Sequence, residues 1–295
     1  MRIAIVHLHH LCRIAFSISV ASLVAACGSS AKSSDTSTGA AASNAPAEFG
    51  LSLSELSARI DKTESLISKC MTAAGFQYIA VDSVSIKEAM QSDKSAPGVS
   101  GEDYVKQFGL GITTQFDKPI VAFGAGPENT TYLNGLVPSD QVAFKRELWG
   151  EATDWNHARA LEEEDFSQTG GCTRNAAEQT YSPTEISGAY VNPADMRLEQ
   201  DPRMIAAIAK WSDCIRADGY QYDNPGQVED DLKERLDAIL QGQDPTTLTG
   251  PAADALHQLQ GEELAIAAVL TSCEAEHIEP VQAAIESELY GSPQP

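Results

Sequence analysis

The sequence predicts a mainly α-helical protein with a few short strands, built from two related helical units that disulfides staple. Apolar residues recur at helical spacing through most of the chain after residue 48. An eleven-residue motif occurs twice, at 68–78 (SKCMTAAGFQY) and at 212–222 (SDCIRADGYQY). The copies agree at eight positions when Met/Ile and Phe/Tyr count as equivalent, which indicates a duplicated unit. In each copy a glycine ends an apolar-periodic segment, where a helix needs a residue that tolerates positive φ.

The first 26 residues have the form of a secretory signal. Arg2 and Arg13 flank an early apolar stretch, an uncharged apolar run follows at 14–25, and small residues precede Cys27. The run is shorter than the roughly 20 residues of a membrane-spanning helix. We therefore expect residues 1–26 to be removed and Cys27 to carry thioether-linked diacylglycerol, with palmitate among its two acyl chains, as a membrane anchor. The alternative is plain secretion with an ordinary Cys27.

The net negative charge of the chain limits which partners it can bind. The chain has a formal net charge of −22, and without the two arginines of residues 1–26 it has 18 basic against 42 acidic residues, a net charge of −24. Nucleic acid and anionic lipid head groups repel such a chain. We expect no nucleic-acid partner and attachment to the membrane through lipid alone. The acidity fits a solvated surface, with binding of a cation or a cationic partner as the alternative.

Four cysteines are left for disulfides if Cys12 leaves with the signal and Cys27 is lipidated. They are Cys70, Cys172, Cys214 and Cys273. An even number in an oxidising compartment indicates two disulfides, for which three pairings exist. Cys70 and Cys214 are equivalent in the repeat, so a later partner within each unit is the simplest pairing: Cys70 with Cys172, and Cys214 with Cys273. No paired C-x-x-C spacing occurs, and no metal or cofactor is predicted.

The first unit is expected to span 48–182. Residues 27–47 are small and polar and predict a flexible tether. Ser52 and Glu55 form a capping box that opens a helix carrying Cys70 on its buried stripe.

Weaker patterns organise the rest of this unit. Apolar alternation over 76–81 predicts a short strand, and a second capping box opens a brief helix at 100–109. Gly, Pro, Asn and Thr dominate 109–138, which predicts a long loop excursion. A helix is expected over 138–150 and an acidic one over 151–167.

The second unit is expected to span 183–295. Asp201 and Pro202 provide an N-cap and a first-turn proline for a helix that ends in the second motif. Further helices are predicted over 228–239 and from Pro251 through Cys273. Pro280 interrupts this last helix.

Several motifs extend the pattern beyond the repeat. They are CMxxxGFxY at 70–78, GxGITT at 109–114, Gly171-Cys172, WxxCxxxxGY at 211–220, and LQxE at 259–262 before Cys273. Together with the tether and with residues 24–27 (VAAC), which have the form of a lipobox, they resemble a group of uncharacterised secreted lipoproteins of actinobacteria. The resemblance implies an envelope location and lends no activity, cofactor or catalytic residue.

Three common catalytic motifs do not occur in the sequence. They are G-x-S-x-G, S-x-x-K followed by K-T-G, and H-E-x-x-H. Three histidines follow residue 26, and His157, His257 and His277 are each expected at the surface. Asp154, His157 and one acid of the run 162–165 could form a cation site. Acidic residues are so abundant that no pair stands out as a glycosidase acid and base. The runs at 162–165 and 229–231 are best explained as solvated helix faces.

Aromatic residues supply the one candidate binding surface. Phe76 and Tyr78 match Tyr220 and Tyr222 in the two motifs. They either pack against their own helices or form a pseudosymmetric platform for carbohydrate or peptide.

These features predict a lipid-anchored extracytoplasmic envelope protein of a bacterium. Its function is expected to be non-catalytic, as a binding or scaffold module for a cell-wall component or another extracytoplasmic protein. One alternative is an envelope hydrolase that uses acidic residues on a glycan. Another is the solute-binding lipoprotein of a transporter, although such proteins have two α/β lobes and this chain offers few strands.

Overall fold

The computed structural model describes residues 46–92, 99–115, 119–152 and 154–291. The predicted signal at 1–26, the predicted lipidation site Cys27 and the predicted tether up to residue 45 lie outside these ranges. Thirteen α-helices and two short 3₁₀ turns, at Glu48–Gly50 and Pro245–Thr247, make up the regular structure that is described.

Helices make up most of the described chain. In the first part of the chain they are α1 (Leu53–Ala73), α2 (Ser83–Ser92), α3 (Gly101–Phe108), α4 (Pro119–Phe123), α5 (Pro127–Gly135), α6 (Pro138–Trp149), α7 (His157–Glu162) and α8 (Gly171–Ala177). They continue as α9 (Pro193–Glu199), α10 (Pro202–Ala217), α11 (Pro225–Leu240), α12 (Pro251–His277) and α13 (Glu279–Tyr290). The predicted mainly α-helical class is confirmed.

The predicted short strands are not seen in the residues described. The segment that follows the first motif is extended, but side chains satisfy its backbone. Asn129 accepts from the N–H of Ile79 and donates to its carbonyl, both at 2.8 Å, and Glu64 accepts from the N–H of Val81 at 3.1 Å. Since these backbone groups already have partners, the segment needs no neighbouring strand.

Helix starts follow the local signals closely. The Ser52–Glu55 capping box forms in full, and proline occupies the first turn of α6, α10 and α12 as predicted. The predicted loop over 109–138 is wrong in part, because Pro119 and Pro127 begin the short helices α4 and α5. The predicted acidic helix over 151–167 shrinks to α7, which begins only after the Asn156 cap.

The interior of the described chain consists of three hydrophobic clusters. The N-terminal cluster includes Phe49, Leu56, Ile60, Leu161, Phe166 and Tyr181. The middle cluster includes Ile67, Met71, Phe144, Leu148, Trp149 and Cys172. The C-terminal cluster includes Met204, Trp211, Ile215, Leu259, Leu270 and Ile285. The buried stripe of α1 runs the length of the helix and so contributes to the first two clusters.

Two disulfides join the motif helices to later helices. Cys70–Cys172 links α1 to α8, and Cys214–Cys273 links α10 to α12, with Cα–Cα distances of 5.6 and 6.0 Å. This is the pairing that the repeat favours. Disulfides persist in oxidising compartments, so they indicate an extracytoplasmic environment.

Packing does not follow the expected boundary between residues 182 and 183. Ile186 and Tyr190, beyond the boundary, pack in the N-terminal cluster, whereas Leu110 and Ile112, before it, pack against the C-terminal cluster. The end of the predicted tether also needs correction, because Ala47 is only 8% exposed and belongs to the N-terminal cluster.

Within the described ranges, every helix is too short or too polar to span a membrane.

Candidate functional site

A buried glutamate–histidine pair lies between α1 and α7. Glu64 is 0% exposed and His157 is 5% exposed, and the Oε1 of Glu64 lies 2.6 Å from the Nδ1 of His157. We call these two residues and Tyr78 the polar centre. It joins segments that are 93 residues apart in the sequence.

Local structure fixes both partners. Glu64 lies on the buried stripe of α1, between Ile60 and Ile67. His157 is the first residue of α7, and the Asn156 cap holds that end in place. The Asn156 side chain accepts from the N–H of Arg159 at 3.0 Å and donates to the carbonyl of Ile120 at 2.6 Å. The start of α7 is thereby tied to α4, which limits movement of the imidazole ring.

The second oxygen of Glu64 is occupied by the chain itself. Glu64 Oε2 accepts from the hydroxyl of Tyr78 at 3.2 Å and from the N–H of Val81 at 3.1 Å. Burial, together with the neighbouring Glu64, raises the pKa of Tyr78 well above its ordinary value, so Tyr78 keeps its proton and acts as a donor. Both oxygens of Glu64 therefore have partners in the protein.

The free nitrogen of His157 decides what chemistry this centre can perform. Nδ1 faces a carboxylate oxygen and carries the proton, which leaves Nε2 as the second functional atom. A carboxylate that orients an imidazole is the supporting half of a catalytic triad, whose other half is a nucleophile at Nε2. In the structure described here, Nε2 is buried and has no hydrogen-bond partner. The arrangement therefore acts as an internal cross-link between α1, the segment after the first motif, and α7.

The cation site considered in the sequence is not assembled. Asp154 binds Arg159 at 3.0 Å, and the Arg159 guanidinium lies 4.1 Å from the centre of the Trp155 ring. His157 turns inward to Glu64, so its predicted surface location is wrong. Glu164 is buried rather than part of a solvated face. Of the other histidines, His257 is exposed as predicted and His277 is half-buried.

A second buried glutamate explains the GxGITT motif of the sequence. Glu263 on α12 accepts from the N–H of Ile112 at 2.9 Å and from the N–H of Thr113 at 2.7 Å, and the Thr113 hydroxyl also donates to it. Gly109 has φ +64°, and a Cβ there would lie 3.1 Å from the Cγ of Glu263. The GxGITT turn is thus the cradle of a carboxylate, and Gly109 permits its close approach.

A third glutamate, Glu274, is buried near the end of α12 and is 4% exposed. Burial, then the nearby Glu279 and Glu229, raise its pKa to about 8, and its Oε1 has no hydrogen-bond partner. This carboxyl group is largely protonated at neutral pH.

Sequence reasoning missed Glu64 and Glu263, although a signal was present. Each continues an apolar stripe at helical spacing, and an acidic residue on such a stripe must be buried with its own donors. For Glu64 the neighbours on the stripe are Ile60 and Ile67; for Glu263 they are Leu259 and Ile266.

The four aromatic residues do not form one platform. Tyr78 is buried, and Phe76 packs edge-on against Phe144 with ring centres 5.5 Å apart. Tyr220 and Tyr222 are half-buried against the C-terminal cluster, and the Tyr222 hydroxyl donates to Asp231 at 2.9 Å. Phe76 and Tyr78 pack in the middle cluster, and Tyr220 and Tyr222 pack against the C-terminal cluster.

Potential metal ligands come together at one place in the described ranges, at Cys70, Glu147 and Cys172. Both sulfur atoms there belong to a disulfide and offer no thiolate to a metal.

Comparison with protein-family models, with curated proteins and with solved structures found no match to this chain.

Proposed function

We propose that the protein is a lipid-anchored, non-catalytic binding or scaffold module of the bacterial envelope. In this proposal Cys27 holds it at the membrane, and its acidic outer surface binds a cell-wall component or another extracytoplasmic protein. The lipobox sequence, the tether and the resemblance to secreted lipoproteins support the anchor. The two disulfides support the compartment.

One observation carries the non-catalytic part of the proposal. The groups that chemistry would use are turned inward and bonded to the protein itself. Glu64 holds His157, Tyr78 and a backbone N–H, and Glu263 holds the 112–113 turn. These side chains stabilise the fold and are not presented to a substrate.

The surface of α11 offers the clearest face for a partner. Asp230, Glu234 and Asp237 are exposed, and their i, i+4, i+7 spacing places them on one side of the helix. We call these three residues the acidic face. Charge complementarity favours a partner with cationic groups, which would associate faster at low than at high ionic strength.

The anchor is tested by expression in a bacterial host with Cys27→Ser as the matched variant. The unchanged chain should partition into detergent and carry two acyl chains on its N-terminal peptide, as measured by mass spectrometry. Cys27→Ser should leave the protein in the aqueous phase. Equal partitioning of both forms would refute lipid anchoring.

Binding is tested by a thermal-melt screen against divalent cations, wall glycans and basic peptides. A ligand at 100 times its dissociation constant should add about 2.7 kcal/mol to the free energy of unfolding. Turnover of a glycan that stops when a single acidic residue is replaced by alanine would instead establish the hydrolase alternative.

The acidic face is tested on any compound or protein found in that screen. A variant with Asp230→Asn, Glu234→Gln and Asp237→Asn should lose affinity. The control changes three exposed acids of α2, α5 and α6, as Glu88→Gln, Glu128→Gln and Asp140→Asn, and so alters the net charge equally. Equal losses in both variants would show that only the overall charge matters.

A further inference from the structure

The described chain begins with a short segment that is locked into the body. Residues 46–51 form what we call the N-terminal clasp. The ring of Phe49 lies among those of Tyr181, Tyr190 and Phe166, with centre distances of 5.1, 5.2 and 5.9 Å. Phe49 is 5% exposed, so the aromatic cage encloses it.

Side chains hold the clasp backbone as well. The N–H of Phe49 donates to Oε1 of the buried Glu164. The Asn192 amide donates to the same oxygen at 2.9 Å and to the carbonyl of Ala47 at 3.5 Å. Glu164 and Asn192 therefore act as one receptor for a backbone N–H and a backbone carbonyl of the clasp.

Phe49 and Glu164, which the hydrogen bond from the Phe49 N–H joins, both have an unfavourable backbone conformation. Phe49 has φ 58° and Glu164 has φ 48°, values that residues other than glycine seldom adopt. The contacts of the closed clasp must offset this cost. A change that weakens those contacts should therefore open the clasp before it unfolds the clusters.

Glu164 lies in an acidic environment. Burial has the largest effect on its pKa and raises it, and the nearby Asp195 on α9 and Glu48 in the clasp raise it further. The hydrogen bonds from the Phe49 N–H and from Asn192 favour the ionised form and lower it. The balance raises the pKa of Glu164 to about 7. Glu164 in turn contributes, after burial, to raising the pKa of Tyr190 to about 12.

The sign of the coupling follows from these contacts. Opening the clasp exposes Glu164 to water and lowers its pKa toward the ordinary value of 4.5. The closed form therefore binds the proton more tightly. Closure is most favourable below about pH 4.5, weakens as the pH rises to about 7, and changes little above that.

We propose that residues 46–51 are a proton-sensitive clasp that is closed over protonated Glu164 and loosened when Glu164 ionises. The closed clasp fixes the preceding tether to the body. The tether is an anchor only if the proposed lipidation of Cys27 is correct. With the clasp closed, the Ala47 carbonyl is bonded to Asn192, the N-cap of α9; with it open, residues 46–51 become free chain. The pH outside the membrane would then set how far the acidic face reaches.

Hydrogen exchange of the full chain, followed by mass spectrometry of peptides covering residues 46–51, tests the clasp. Between pH 5 and pH 8, exchange corrected for the intrinsic rate should rise about 10- to 100-fold. Glu164→Gln keeps an acceptor but cannot ionise, so its protection should stay constant over this range. Glu274→Gln is the matched control. It removes a second buried glutamate whose pKa is raised, on α12 and far from the clasp in sequence, and should leave the pH dependence of the clasp unchanged.

Two further variants keep the test decisive. Phe49→Ala should abolish protection of this peptide at every pH, which shows that the peptide reports on the clasp. If Glu164→Gln does not fold, Asp195→Asn removes one acidic neighbour and should move the exchange midpoint to lower pH. The same pH dependence in Glu164→Gln as in the unchanged chain, or an unmoved midpoint in Asp195→Asn, would overturn the proposal. The readout needs no lipid, so failure here would leave the anchor standing, and failure of the Cys27→Ser test would leave the clasp standing.

Discussion

The two copies of the motif build the same turn with the same hydrogen bond. In the first copy the Ser68 hydroxyl donates to the carbonyl of Tyr78 at 2.8 Å, and in the second the Ser212 hydroxyl donates to the carbonyl of Tyr222 at 2.6 Å. Gly75 and Gly219 adopt φ +91° and +96°. The bond that closes each helix end runs from Phe76 N–H to the Met71 carbonyl (2.9 Å) and from Tyr220 N–H to the Ile215 carbonyl (3.2 Å).

The interiors behind these turns differ. Glu64 in α1 corresponds to Ile208 in α10 when the motifs are aligned. The Tyr78 hydroxyl therefore meets a buried acid that also holds His157, whereas the Tyr222 hydroxyl reaches the partly exposed Asp231. The motif thus specifies the helix end and its turn, and the polarity of the core behind it varies independently.

Opening the disulfides should have the largest effect on either copy. The Cys70–Cys172 and Cys214–Cys273 bonds span 102 and 59 residues. Loop entropy gives losses of about 4.7 and about 4.3 kcal/mol when each pair is changed to serine. Urea unfolding should show the two losses and their near-additivity in the quadruple variant, because the two loops do not overlap. A much larger loss for the second pair would show that the two disulfides do not stabilise the two copies through loop entropy alone.

Glu64→Ile makes the first copy resemble the second and should cost about 3–5 kcal/mol, because His157, Tyr78 and the Val81 N–H lose a buried acceptor. The control at the matching position, Ile208→Val, should cost only about 0.5–1.5 kcal/mol. Denaturant midpoints at constant slope measure both.

The same centre also makes a prediction about coupling. Adding His157→Leu and Tyr78→Phe to Glu64→Ile removes the stranded polar groups and should restore part of the lost stability. A triple variant that is less stable than Glu64→Ile alone would mean that these side chains are held by packing rather than by the acid.

Signals local in sequence predicted most of the helices. The Ser52–Glu55 box and the first-turn prolines mark helix starts through backbone capping, which depends on a few adjacent residues. The disulfide pairing followed from the repeat, because the equivalent cysteines Cys70 and Cys214 were each expected to take a later partner within their own unit. Pro119 and Pro127 offered the same signal, but the surrounding glycines led to the expectation of a loop.

Features that depend on distant contacts were not predicted. The expected strand at 76–81 depends on where its backbone finds partners, and those partners are Asn129 and Glu64. The burial of His157 requires Glu64 from another helix, and the clasp joins Phe49 to Glu164, 115 residues away. No local pattern records such pairings, although an acid on an apolar stripe marks one half of them.

The smallest effect is expected from the Ser68 and Ser212 hydrogen bonds, which test most directly whether the two turns are equivalent. Ser68→Ala removes a half-buried hydroxyl and Ser212→Ala a buried one. Each hydroxyl donates to a tyrosine carbonyl, so each substitution should cost about 1 kcal/mol. The double variant should show the sum, because the two sites belong to different clusters. Urea unfolding of the three variants measures this. A difference above about 1 kcal/mol between the single variants would mean that the polar centre behind Tyr78 also supports the first turn, so that the two turns would share their geometry but not their energetics.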